Sequence, residues 1–149
     1  MSASQEDLKK IAIIRIKSAK TLLREKEWNG AGYLMGLALE CALKSSICKT
    51  LRIANYPEVH TDKKVPDFFM THSFDRLLLL SGLSDLFSPT GNALAFNNWS
   101  TFTIQYPAEW TFLRYTMDYF DEKKAKELFN CLMLDEDSII KTIKQKRRW

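Results

Sequence analysis

Histidine is scarce in this chain of 149 residues: there are two, His60 and His72. Two imidazoles leave no clustered zinc site in one chain, and no metal or other cofactor is implied. Cysteine is sparse as well. Cys41, Cys48 and Cys131 contain no C-x-x-C spacing, so neither a disulfide framework nor a zinc ribbon is expected. Cys41 and Cys48 fall on one predicted helix, about 10 Å apart along its axis, beyond disulfide reach. Reduced thiols in the cytosol are the expectation, and the protein is placed in the cytoplasm. The five glycines form no phosphate-binding loop or dinucleotide fingerprint, and no zinc-protease helix is present. No apolar run reaches membrane-spanning length, so no membrane association is expected. The segment MSASQEDLKK has acid near its start and no sustained apolar region, unlike a signal peptide.

What is present points to one folded domain. The chain is 46% hydrophobic and 27% charged, which argues against disorder. Residues 1–149 fit a single domain with its core at about 5–144, large enough to fold without disulfides or metal. Nine Phe, five Tyr and four Trp supply large packing surfaces. The net charge of +4 is concentrated at the end: residues 141–149, KTIKQKRRW, hold five cations and no acid. Lys144, Lys146, Arg147 and Arg148 suit RNA or an acidic protein, or equally a solvated helix end that complements the helix dipole.

Residues 28–49 organise the rest. Ala31, Met35, Ala38, Leu39, Ala42, Leu43 and Ile47 recur at helical spacing. Gly32 and Gly36 form a neighbouring small-residue ridge that lets another helix approach closely. Glu40 borders the apolar face with Lys44 four residues on, a favourable ion-pair order. Before it, Ser4 and Asp7 suggest a cap for a first helix running to about Lys26. The short join makes the two helices antiparallel neighbours.

Residues 55–71 read as a long connection, with Pro66 disfavouring helix at Val65. Phe68, Phe69 and Met70 are expected to fold back onto the core. His72 and Ser73 open a third helix that stops at Gly82. Ser88 and Pro89 suggest the start of another element, with helix from about 92 to 103. A turn of helix holding Trp110, Leu113 and Met117 follows. Asp118 or Asp121 caps the next helix, with Lys123 and Glu127 as an outer pair, and Asp135 starts the last, whose end from Lys144 to Trp149 frays. The fold class is all-α: an up-and-down four-helix bundle with short additional helices.

The run from Ala31-Gly32-Tyr33 to Ala38-Leu39-Glu40-Cys41-Ala42-Leu43-Lys44 resembles the second helix of the HEPN domain superfamily. His72 followed by Phe74, Leu77 and Leu78 is similar to that family's histidine-led third helix. Asn98-Trp99-Ser100 through Tyr106-Pro107-Ala108-Glu109 to Arg114-Tyr115, and the isoleucine helix ending in Trp149, resemble later segments of its prokaryotic members. The resemblance spans roughly residues 7–149. It implies a bundle that dimerises through its helices. Many members are metal-independent ribonucleases, including toxins and antiviral effectors. Others are non-catalytic companions of small nucleotidyltransferases, or binding modules. The ribonucleases use an arginine, a polar residue and, after four to six intervening residues in all, a histidine on a late helix, with arginine and histidine of two subunits combined in one site. That spacing is missing here: seven residues separate Arg52 from His60, and no histidine follows Arg114.

The leading expectation is therefore a non-catalytic binding or regulatory homodimer, companion to a nucleotidyltransferase or a defence component. The alternative is a divergent metal-independent endoribonuclease of toxin or antiviral type. Its catalytic candidates are His72, Arg114 and Glu40. Tyr33, Glu40, His72, Asn98, Arg114 and Tyr115 are the candidate binding residues, for RNA or a nucleotide. Arg114, a planar donor fork, suits a phosphate, or an internal pair with Glu109 or Glu40. Asn97, Asn98 and Trp99 suit a polar groove, with Trp99 as a core anchor. His60 reads as a solvated loop residue.

Overall fold

A computed structural model describes residues 3–57 and 67–149. The expectations for His60, Val65 and Pro66 lie outside the described residues. Within them the fold is all-helical. It has six α-helices: α1 (Gln5–Arg24), α2 (Trp28–Leu51), α3 (Phe74–Ser81), α4 (Ala93–Thr103), α5 (Glu122–Phe129) and α6 (Ile139–Arg147). An isolated bridge between Ser4 and Asn55 is the one β-type pairing among the described residues. Among the described residues no helix is long and apolar enough to cross a membrane.

Ser4 caps α1 in a reciprocal box with Asp7, satisfying two donors that the first turn leaves open. The Ser4 hydroxyl and backbone bonds hold the exposed Asp7 carboxyl below its ordinary pKa. Leu8, Ala12, Ile16 and Ala19 are its buried stripe. The start of α1 meets the end of α2: the Ser45 hydroxyl donates to the Gln5 carbonyl at 2.9 Å. The hairpin is therefore antiparallel. The central helix packs on α1 and on α3, α5, α6 and a 3₁₀ segment, Trp110–Tyr115. Its Met35, Leu39, Leu43 and Ile47 are fully buried, as are Leu77, Phe102, Leu128, Leu132 and Ile140 from the elements around it.

The ridge of α2 is used differently from the expectation. What sits on it is not a helix but aromatic rings from residues 106–120. A Cβ on Gly32 would collide with the Phe120 ring, and one on Gly36 would lie 2.8 Å from the Trp110 ring. Glycine is needed there for close approach. Tyr106 donates its hydroxyl to the Gly32 carbonyl at 2.7 Å.

Several boundaries shift. Asn92, not Ser88, caps α4; the Ser88 hydroxyl instead accepts from the Gly91 amide in a turn at 3.0 Å. Asp121, not Asp118, caps α5. Its outer pair is Lys126 with Glu122 at 2.7 Å; a Lys123–Glu127 pair is not formed. A π-helical turn, Asn130–Leu134, follows α5, and Ser138 rather than Asp135 precedes α6. Phe69 packs on the core, but Phe68 and Met70 remain about half exposed. Met117 lies outside the 3₁₀ segment and is 93% exposed.

Candidate functional site

Glu40 projects from the middle of α2 and is buried, with 5% of its surface exposed. A carboxylate there needs partners that compensate lost hydration. It has two. Lys44, one helical turn on, places its ammonium 3.4 Å from Oε1. His72, just before α3, brings Nδ1 to the same oxygen. Lys44 also lies over the Tyr56 ring, 4.9 Å from its centroid. Burial, with Glu40 as a second cause, raises the Tyr56 phenol well above its ordinary pKa.

The His72 backbone is fixed separately. The Trp110 indole donates to the His72 carbonyl at 2.7 Å. The Thr71 hydroxyl accepts from the Ser73 amide at 3.0 Å, and Ser73 caps α3. The imidazole is thus held between a buried carboxylate and solvent, with 56% of the side chain exposed. A carboxylate offers only acceptors, so the Nδ1 that meets it carries the proton. In the neutral ring Nε2 then presents its lone pair outward. Such a pair accepts a proton at Nε2 and stabilises the resulting imidazolium through the carboxylate. His72 lines an open cleft of about 670 Å³ with Asp75, Arg76, Tyr106, Glu109 and Trp110.

Arg114 is not in that cleft. It belongs to a second hollow of about 520 Å³, shared with Glu27, Asn29, Tyr33 and Met117. Its guanidinium lies 4.9 Å from the Tyr115 centroid. Hydrogen bonds to Tyr115 and Tyr33 hold it still more firmly protonated. Neither expected internal pair is formed: among the described residues Arg114 has no carboxylate partner, and Glu40 is taken by His72 and Lys44. The reason is placement: Arg114 shares its hollow with Tyr33 and lies over Tyr115, whereas Glu40 meets His72 at the edge of the other cleft. The Trp110 ring, which fills the space over Gly36, packs against both groups, tilted against Tyr33 at 6.0 Å and edge-on to His72 at 6.4 Å.

Asn98 is remote from both. It is buried on α4, and its amide donates to the Glu136 and Asp137 carbonyls, both at 3.1 Å. This ties down the turn before α6, where Asp137 is left-handed (φ 53°). Asn97 and Asn98 line a hollow of about 510 Å³ with Lys123, Lys126, Glu127 and Asn130. Trp99 is buried, its indole donating to Asp75 at 3.3 Å.

The basic end is partly structural. Arg147 donates from Nη2 to the Thr50 hydroxyl at 2.7 Å and the Ser81 carbonyl at 2.6 Å. Lys49 returns a bond to the Arg147 carbonyl at 3.0 Å. Burial lowers the Arg147 pKa. The expected fraying from Lys144 is not seen: α6 continues to Arg147, because this clamp joins it to the ends of α2 and α3. Lys144 is half-buried, while Lys146 and Arg148 are exposed.

The three cysteines are free thiols. Burial, then Glu40, pushes Cys41 up to about 11. Burial, then Asp135 and Glu127, does the same for Cys131. Neither is a ready thiolate nucleophile. Among the described residues no three His, Cys, Asp or Glu side chains are grouped to hold a metal.

Two residues that the sequence did not single out position these features. Trp110 fixes His72 from a distant segment. Asn29 holds residues 113–120: its amide donates to the Thr116 carbonyl at 2.7 Å, and its Oδ1 accepts from the Phe120 amide at 3.1 Å. An asparagine at a helix start gives no signal of a partner some ninety residues on. No family model, curated protein or solved structure matches the chain.

Proposed function

We propose that this chain is a HEPN-like, non-catalytic binding or regulatory module: an up-and-down four-helix bundle with short extra helices that acts as a cytoplasmic homodimer. In this reading it is the companion of a small nucleotidyltransferase or of a defence component. The observation that supports it is that His72 and Arg114 line two different hollows. Within one chain these two side chains face no common reacting atom; the arginine that shares the His72 cleft is Arg76. Free thiols at Cys41, Cys48 and Cys131 suit a reducing compartment. The test is incubation of the purified chain with single-stranded and hairpin RNA in chelator. The expected outcome is intact RNA. Cleavage that disappears in His72→Ala overturns the non-catalytic reading.

One observation favours the second reading, a divergent metal-independent endoribonuclease: the Glu40–His72 pair at the edge of an open cleft. In that mechanism His72 Nε2 takes the proton from a ribose 2′-hydroxyl. The 2′-oxygen bonds to phosphorus, the P–O5′ bond breaks, the leaving 5′-oxygen takes a proton from water, and a 2′,3′-cyclic phosphate results. Glu40 balances the imidazolium, and Arg114 reaches the phosphate from a second subunit. Full cleavage by a His72→Ala/Arg114→Ala variant sinks this reading.

A further inference from the structure

Residues 112–119 carry a surface that the functional reading leaves unused. Phe112, Tyr115 and Met117 are 64%, 71% and 93% exposed, and Tyr119 is 43% exposed. The first three are neighbours in space as well as in sequence, and Tyr119 follows them in the chain. The Phe112 and Tyr115 rings meet edge-on at 6.1 Å. Arg114 lies over Tyr115, and Met117 shares the wall of the second hollow with Arg114. At roughly 200 Å² per large side chain these four expose on the order of 500 Å². That is the upper range for one apolar patch on a monomer, and most of the roughly 800 Å² per partner of a standard interface.

The patch is rigidly presented. Phe120 and Trp110 are seated on the α2 glycines, and Asn29 bonds the backbone at Thr116 and Phe120. Little ordering cost remains to oppose association. Tyr, Phe, Met and Arg are also the residue types enriched where proteins meet.

Charge selects the occupant. Arg114 and Glu27 both line the hollow beside the patch, and neither has an ion-pair partner among the described residues. Asp118, also exposed, stands next to Met117. A lipid surface or a polyanion calls for cations alone. A surface that carries an unpaired cation beside unpaired carboxylates answers itself across a twofold axis.

We propose that residues 112–119 form the isologous interface with a second copy of this chain, with Arg114 facing Glu27 of the partner subunit across the axis. This deepens the homodimer reading and rests on it. The test is sedimentation velocity of the full chain over a concentration series, with circular dichroism to verify folding of each variant. The wild-type chain is expected to dimerise. Phe112→Ser/Met117→Ser should weaken self-association at least tenfold. Arg114→Glu and Glu27→Arg should each weaken it about tenfold, and the two charge reversals together should restore it. Single reversals that weaken without rescue in the double variant overturn the Arg114–Glu27 pairing. Dimers that survive both the serine and the charge variants overturn this interface and leave the homodimer standing. A wild-type monomer at every concentration overturns both, and makes the patch a seat for a different partner.

Discussion

At Glu40 one carboxylate oxygen serves two donors, and the two differ in how easily water can replace it. Lys44 and Glu40 are largely buried, whereas His72 is more than half exposed. Removing the buried member leaves Lys44 without a counter-charge, while removing His72 leaves a pair intact. Glu40→Ala should therefore cost about 1–3 kcal/mol in urea denaturation. His72→Ala should cost less than about 1 kcal/mol. Equal losses in the two variants would contradict this division. The i,i+4 order of Glu40 and Lys44 was legible in the sequence because it is local to a helix. The His72 partnership was not, since it spans 32 positions and depends on how the chain returns to α2. Arg114 misled for a related reason. Its charge suggests a carboxylate partner, but the fold puts it in a different hollow from Glu40, over the Tyr115 ring.

The pairing of α2 with the aromatic residues after α4 has its own energetic signature. A methyl group normally helps a helix by about 1 kcal/mol when alanine replaces glycine. At Gly32 and Gly36 it meets the Phe120 and Trp110 rings instead, and overpacking of this kind costs about 1–3 kcal/mol. Gly32→Ala should thus lower stability, and Phe120→Leu should recover part of the loss in the double variant. Additive losses would show that the ring is not the obstacle. The C-terminal helix makes a second case. Arg147→Ala removes both bonds to Thr50 and Ser81 and should cost about 1–3 kcal/mol, because the Ser81 carbonyl is buried. Truncation after Lys144 would remove the same clamp. A charge effect of the basic end is therefore better tested with Lys146→Ala/Arg148→Ala, expected to leave the urea midpoint within about 0.5 kcal/mol of wild type. Periodicity showed the small ridge but could not say what fills it. A glycine spacing fits a helix or a ring equally well.

For the molecule as a whole, burial of weak acids sets an alkaline limit. Cys41 and Cys131 titrate at about 11 in the folded chain, above the ordinary 9.0, and burial also raises Tyr106. A raised acid stays neutral when folded, so its contribution is fully present below about pH 9. Above that the unfolded chain ionises first, and the contribution is lost as pH climbs toward 11. The urea midpoint should fall from about pH 9 upward, with a shallower fall in Cys41→Ala/Cys131→Ala. A flat profile to pH 10.5 would falsify this. The all-helical class and the positions of α1 to α4 were legible because apolar spacing and caps are local signals. Residues 110–120 were harder: their 3₁₀ segment is too short to show a period, and its order comes from Asn29 and the α2 glycines. That segment also supplies an optical handle. The Trp110 indole stacks on Phe74 at 5.1 Å and donates to the His72 carbonyl. Its emission should sit to the blue while the cleft is dry and shift red when water enters. With the other three tryptophans replaced by phenylalanine, one fluorophore would report the occupancy of the cleft before any ligand had been identified.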